Sequence, residues 1–436
     1  MSDIIEAIIE GSYVDPETGD ALGVPTQRVV IEEDLTGQAG NLVGTVGMSG
    51  KLAVVCDRNT YEAMGERIWR ELSGRGEAQL LDFGDSPHAD EETAMRLIAE
   101  TSQCDGLVAV GSGTINDLCK YASAEQGKPY AVFATAPSMN GYTSVNAAIT
   151  VNGLKKTLSA KGAVGVFMDA KVIARSPERL IMSGFGDSIC RSTAQTDWYL
   201  SHRLFGTEYR SVPYDILSEE EAVLFGNAEG IRHRDSDSIM SLCRVLTLSG
   251  FGMTICGGSA CASQGEHMIS HFMDMIPPAG WPGAYHGEQI AVTTITSAAV
   301  QGAILDGDVP ELRASNTTRA NVDDTFGANL GALCWAEYEP KRITSENVDE
   351  INSRLQATWT DLQRDLSTIH VDASSIRKSL SDAGAPTTPD DLGLTNDYYD
   401  KATVFGRTIR NRFSFLDIAC DRVGPGILEI ARNSHD

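Results

Sequence analysis

The chain has 436 residues, 42 % of them apolar and 22 % charged, which is ordinary globular usage and enough for two or three domains with a substantial core. Sixty acids face 35 lysines and arginines, and the formal net charge of −25 argues against nucleic acid and anionic membrane surfaces, both of which need a basic footprint. A small anionic substrate stays open, because a nearby cation overrides a distant field.

The nine cysteines are scattered and contain no Cys-x-x-Cys pair, so they read as reduced, mostly buried thiols of a cytoplasmic protein. The N-terminus lacks a basic region followed by an apolar stretch, and no apolar run approaches the length of a membrane span; no signal peptide and no integral membrane segment are expected.

Short apolar runs alternate with helical patterns through the first part of the chain. Leu52–Asp57, Gln79–Phe83, Gly106–Val110, Tyr130–Ala134 and Val164–Met168 are the expected strands. Helices are expected over Tyr61–Leu72, Asp90–Thr101 and Thr114–Ala124 between them. Such alternation predicts an α/β fold with a parallel, Rossmann-like sheet. Beyond about Pro177 strand signals fade, and helices are expected over Asp187–Ser201, Ser238–Leu248, Gly265–Met275, Gly287–Gln301 and Val348–Leu366. The expected domains are therefore 1–178, α/β and dinucleotide-binding, and 179–436, all-helical and carrying metal and substrate. The charged, Gly-containing stretch 205–236 reads as a solvated surface excursion, and 381–393 as a loop.

In Val108-Ala109-Val110-Gly111-Ser112-Gly113-Thr114-Ile115-Asn116-Asp117 a strand runs through small residues into a helix. Missing side chains at Gly111 and Gly113 let backbone N–H groups approach a pyrophosphate, with the positive helix end facing the anion. Asn116 stands where a Gly-x-Gly-x-x-Gly fingerprint has its third glycine, so a plain tight turn is the competing reading. Asp57 ends an earlier strand, where a carboxylate accepts from an adenosine ribose and repels a 2′-phosphate, favouring NAD over NADP; a helix-capping acid is the alternative. Thr135, Ala136, Pro137 and Ser138 follow the fourth strand directly, at the sheet end where ligands bind.

His267 and His271 are four apart on one helix face, and His286 opens a further helix. Asp187 is the acid expected to open the first long helix of the second domain, after a Gly184-Phe185-Gly186 turn. One carboxylate with two imidazoles leaves coordination positions open, as a catalytic metal site does.

These residues, with Ala-Pro-Ser-Met-Asn-Gly-Tyr-Thr-Ser (136–144), Leu-Lys-Lys-Thr-Leu-Ser-Ala-Lys (154–161), Gly-Glu-His (265–267) and His-Gly-Glu-Gln (286–289), resemble the sn-glycerol-1-phosphate dehydrogenases. That family is a branch of the superfamily of iron-containing alcohol dehydrogenases and dehydroquinate synthases. The resemblance spans about residues 50–300 and resumes at Ile409–Asp417. It implies an active site in the cleft between the two domains and a homo-oligomer. It also implies one divalent metal, zinc ahead of nickel or iron, on Asp187, His267 and His286. Asp57, Gly113, Thr114, Ile115, Asn116, Asp117, Thr135, Ala136, Pro137, Ser138 and Ser144 fall on nicotinamide-dinucleotide contacts. The implied reaction interconverts dihydroxyacetone phosphate and sn-glycerol 1-phosphate by hydride transfer with NAD(H), or with NADP(H). His271 falls beside the substrate as a proton shuttle or orienting group, and Lys161, ahead of Lys155 and Lys156, is the candidate phosphate anchor. Asn140 replaces an acid usual in the family; an amide still hydrogen-bonds a substrate hydroxyl but carries no charge. A dehydroquinate-synthase-like cyclase holding NAD and a dehydrogenase of uncharged polyols are the competing functions.

Overall fold

The computed structural model describes residues 3–151 and 154–433. Ten strands occur in chain order: β1 Tyr13–Val14, β2 Ala21–Leu22, β3 Arg28–Glu32, β4 Leu52–Cys56, β5 Ala78–Asp82, β6 Gly106–Gly111, β7 Tyr130–Ala134, β8 Asn146–Val151, β9 Leu154–Ser159 and β10 Gly165–Asp169. The helices that bear on the site are α1 Gly113–Gln126, α2 Glu178–Ser188, α3 Arg191–Phe205, α4 Ser236–Ile255, α5 Gly265–Met275 and α6 His286–Leu305.

Six strands form one parallel sheet in the order β3-β10-β7-β6-β4-β5. Every residue of β4, β6, β7 and β10 is buried, which is why those strands read as unbroken apolar runs: helices cover both faces of a parallel sheet. All five expected strands form. Not expected were the edge strand β3, the hairpin β8–β9 and the short pair β1–β2. In β3 the sequence Arg-Val-Val-Ile-Glu is only partly buried, so its apolar core is too short to stand out. From β4 the chain moves outward to β5, then returns to the other side of β4 as β6. The crevice at the C-terminal ends of β4 and β6 is therefore the topological switch point of the sheet.

The chain forms two compact units, residues up to Ser188 with Ser211–Gly258, and Ile189–Arg210 with Ser259 onward. They do not follow a single cut at 178/179, because α4 belongs to the first unit although its own sequence carries only a helix signal. The stretch 205–236 is not a solvated excursion: it forms short helices at Val212–Asp215, Ser218–Gly226 and Ala228–His233, and buries Val212, Tyr214, Leu224 and Ile231. By length and composition α4 could cross a membrane, contrary to the expectation that no run is long enough. However, 72 % of its apolar window is buried inside the protein, as in a core helix.

The second unit is helical, around a core that includes Leu200, Phe272, Val292, Trp359, Phe415 and Leu416. The expected helices Gly265–Met275 and Val348–Leu366 form with those bounds. Asp187 does not open a helix; it lies in the last turn of α2, and Gly184 and Gly186 are helical rather than a turn. Gly184 is required for close approach: a Cβ there would stand 1.5 Å from the Pro137 carbonyl oxygen.

Candidate active site

At the switch point, Asp57 follows β4 and the Gly111-Ser112-Gly113 turn follows β6. Ser112, the N-cap of α1, makes no side-chain bond to the helix, so the first-turn N–H groups point to the strand ends without that competitor. The two glycines differ in role. A Cβ on Gly111 would come within 2.6 Å of Ile115, so this glycine serves strand–helix packing; at Gly113 the nearest atom is Met139 Sδ at 3.4 Å. Gly113 and Thr114 are half-buried at the crevice, whereas Ile115 points into the core. Asp57 Oδ1 caps the Arg58–Thr60 turn by accepting from the Thr60 N–H at 2.8 Å.

The side chains of Asn116 and Asp117 face inward. Asn116 Nδ2 donates to Asp117 Oδ1 at 3.0 Å, and Asp117 Oδ2 accepts from the Ala148 N–H at 3.0 Å. One turn on, Lys120 is wholly buried and donates to Gly141 O (2.6 Å), Asn146 O (2.9 Å) and Ser144 Oγ (3.1 Å), with Asp117 Oδ1 at 3.5 Å. Burial pushes this ammonium below the usual lysine range, against the pull of Asp117. Lys120 thus pins the 135–146 segment to α1, and Ser144 is a member of that knot. Sequence reading assigned Lys120 no role. The Asp117–Lys120 pair, three apart on a helix whose neighbouring residues are apolar or small, is the signal that marks it.

The same segment is held from two other helices. Ser183 Oγ donates to Ser138 O at 3.1 Å, and the Asn140 N–H donates to Asp187 Oδ2 at 2.8 Å. Thr143 Oγ1 donates to Thr247 O at 2.7 Å, and Thr254 Oγ1 donates to Thr143 O at 3.0 Å. Thr135, Ala136, Pro137 and Ser138 are all buried, immediately beyond β7. Asn140 is half-buried, and among the described residues its side-chain amide makes no hydrogen bond.

In the second unit α5 and α6 bring three imidazoles together. Ring centres lie 5.1 Å apart for His267 and His286, 5.9 Å for His271 and His286, and 6.0 Å for His267 and His271. Ligating nitrogens of His267 and His286 come within 4.8 Å of each other. Local sequence sets this up. Glu288 Oε2 accepts from the Tyr285 N–H at 2.8 Å and closes the turn that starts α6, fixing His286 at its first position. Gln289 ties the helices: its Oε1 accepts from Ser270 Oγ at 2.7 Å and its Nε2 donates to Asp274 Oδ1 at 3.0 Å. Glu266 is buried at the start of α5 and accepts from the Gln264 N–H (2.7 Å), Thr193 Oγ1 (3.2 Å) and His267 Nδ1 (3.0 Å). Burial raises this carboxyl, but the His267 contact foremost, and then the Gln264 and Glu266 backbone N–H groups, hold it below the usual range.

The residues fit a divalent metal. With Nδ1 of His267 donating to Glu266, Nε2 is the atom that would ligate the ion, the arrangement that orients metal-bound histidines. Cys190 Sγ also lies within 4.8 Å of the Glu266 and His267 ligating atoms, but Glu266 is already saturated by donors, so it acts as support for His267. Glu266→Gln is expected to weaken metal affinity about 10- to 100-fold while leaving the fold intact. Metal titration of chelated protein checks this, and unchanged affinity would remove the supporting role.

Lys161 is exposed beyond β9, and Lys156 is exposed on it; the side chain of Lys155 lies outside the described residues. No disulfide joins any of the nine cysteines, and burial pushes the thiols of Cys56, Cys243 and Cys334 up to about 12, so these three are inert packing residues.

Comparison with known proteins gives the family and the fold. Residues 30–177 match the family model of iron-containing alcohol dehydrogenases. A glycerol-1-phosphate dehydrogenase [NAD(P)+] of Halalkalibacterium halodurans is 30 % identical over 377 residues, 84 % of this chain and 85 % of the relative. The enzyme of the same name from Bacillus velezensis is 28 % identical over 84 % of each chain. Among solved structures, a probable glycerol dehydrogenase from Sinorhizobium meliloti superposes with a TM-score of 0.61 at 14 % identity, covering 94 % of this chain and 95 % of the other, and so shares the fold. With this much of a relative matched end to end, the chain belongs to the glycerol-1-phosphate dehydrogenase family.

Proposed function

We propose that the protein interconverts dihydroxyacetone phosphate and sn-glycerol 1-phosphate with a nicotinamide dinucleotide. The observation that carries this reading is the His267–His286 pair, 5.1 Å between ring centres and buttressed by Glu266, in a chain whose curated relatives bear that activity in their names. Asp187, His267 and His286 would hold the metal, a donor set that suits zinc, nickel or iron. When bound, the metal supplies a Lewis acid for the C2 oxygen and the dinucleotide supplies or accepts the hydride.

The chain's own residues do the rest. First-turn N–H groups at Gly113 and Thr114 receive the pyrophosphate. Asp57 accepts from the ribose with its second oxygen and disfavours a 2′-phosphate, so NAD(H) is preferred to NADP(H). The Asn140 amide hydrogen-bonds a substrate hydroxyl without adding charge. His271 carries a proton between substrate and solvent. Nine cysteines with no disulfide among them fit a reducing compartment, and we place the enzyme in the cytoplasm as a homo-oligomer.

The test is NADH oxidation with dihydroxyacetone phosphate after chelation and readdition of each metal, with chiral analysis of the product. Metal-restored formation of sn-glycerol 1-phosphate is expected. Turnover of glycerol or dihydroxyacetone at equal efficiency would move the enzyme to the uncharged polyols, and dinucleotide retained without net oxidation would move it to the cyclases.

A further inference from the structure

We propose that Arg410, not Lys161, anchors the phosphate of the substrate, an inference that rests on the dehydrogenase reading above. Arg410 follows the Gly406–Thr408 turn in the second unit. Its Nη2 donates to His271 Nδ1 at 3.1 Å and its Nη1 to Ser263 Oγ at 3.3 Å. Among the described residues no carboxylate pairs with it. The neighbouring buried cations behave otherwise: Arg407 Nη1 meets Asp421 at 2.7 Å and Lys341 meets Asp417 at 2.9 Å. Glu337 and Glu266 act on Arg410 only through space: Glu337 accepts from the Asn411 N–H at 3.1 Å, and Glu266 from the Gln264 N–H, Thr193 Oγ1 and His267 Nδ1. Arg412 stands beside Arg410 and donates to Ser259 Oγ at 3.1 Å and to Ser263 O. Two guanidiniums two residues apart, one of them bonded to no carboxylate, form a site that an anion completes.

Position makes that anion part of the substrate. His271, which the Arg410 guanidinium touches, has its ring centre 6.0 and 5.9 Å from those of His267 and His286. A three-carbon chain with an oxygen at C2 and a phosphate at its end spans a gap of one side chain. The planar guanidinium presents a fork of donors to phosphate oxygens, which an exposed lysine ammonium does not. Burial and the Arg412 charge push the Arg410 guanidinium down to about 9, so it remains charged at neutral pH. Arginine has no acceptor, so the contact with His271 Nδ1 assigns the ring's proton to Nε2, leaving that atom as the donor to substrate.

Arg410→Lys and Arg410→Gln are compared with the intact enzyme on dihydroxyacetone phosphate and on unphosphorylated dihydroxyacetone. The expected result is a KM for the phosphorylated substrate raised roughly 10- to 100-fold in Arg410→Gln and less in Arg410→Lys, the cost of one charge-assisted contact. kcat/KM for dihydroxyacetone, which loses only the contact of Arg410 with His271, should fall at least tenfold less than kcat/KM for dihydroxyacetone phosphate, and competition by inorganic phosphate should vanish. Thermal unfolding supplies a readout free of turnover: inorganic phosphate should raise the Tm of the intact protein and not that of Arg410→Gln. Equal phosphate protection in both proteins overturns the proposal, as does a KM for dihydroxyacetone phosphate that moves with Lys161→Ala and not with Arg410→Gln. An intact enzyme that turns over no dihydroxyacetone phosphate with any of the three metals defeats the dehydrogenase reading instead, and phosphate protection still decides Arg410.

Discussion

His267→Ala is expected to lower kcat/KM by at least roughly 10³-fold and to abolish metal retention, because it removes a ligand of the ion that supplies several kcal/mol of charge stabilisation. His267 is only 5 % exposed, so the loss is measured beside a folding control, and His267→Gln keeps most of the side-chain volume. Metal content after dialysis, NADH binding by fluorescence and steady-state turnover separate the causes. Turnover and metal content should fall together while NADH affinity holds, since Asp57 and the Gly111–Gly113 turn are remote in sequence and belong to the sheet. His271→Ala should cost less, about 10²-fold in kcat, because a proton shuttle contributes less than the ion itself, and it should leave metal content unchanged. Equal losses at the two histidines, or full metal retention in His267→Ala, would sink the assignment of roles.

Lys120→Met is expected to be the most destabilising of the single changes considered, by about 3–5 kcal/mol. The methionine fills the space but donates nothing. It leaves the Gly141 and Asn146 carbonyls and Asp117 without the ammonium that now meets them at 2.6, 2.9 and 3.5 Å. Each buried acceptor so stranded costs roughly 1–3 kcal/mol. The damage concentrates in the 135–146 segment, so the KM for NADH should rise along with the fall in denaturation midpoint. A midpoint unchanged within error would show that the hydrogen bonds from Thr143 and Ser183 hold the segment unaided.

Much of the fold was legible because it is written in short-range pattern. The strands β4, β6, β7 and β10 are buried on both faces, so each appears as a run of apolar residues whatever its neighbours are. The Gly-Ser-Gly turn, the Glu266-His267 start of α5 and the His286-Gly287-Glu288 start of α6 are likewise local: small residues make the first, and a glutamate accepting from a backbone N–H two or three positions back closes the other two. Composition, too, is a whole-chain property, and a net charge of −25 by itself argues against partners that need a basic footprint.

What tertiary structure alone decided is the set of contacts between residues far apart in the chain. Gly184 looks like a turn in isolation, yet it lies within α2 and must be glycine because the Pro137 carbonyl occupies the place of a side chain. Helix α4 carries no strand signal, yet it joins the sheet-bearing unit through Gly250, where a Cβ would meet Thr143 Oγ1 at 2.0 Å. Lys120 reaches partners more than twenty residues away, and Arg410 reaches His271 across 139. A cation's role depends on which acceptors surround it. Lys161 and Arg410 are both plain basic residues in sequence, and only the fold leaves one exposed on the surface and sets the other against His271 with no carboxylate bonded to it.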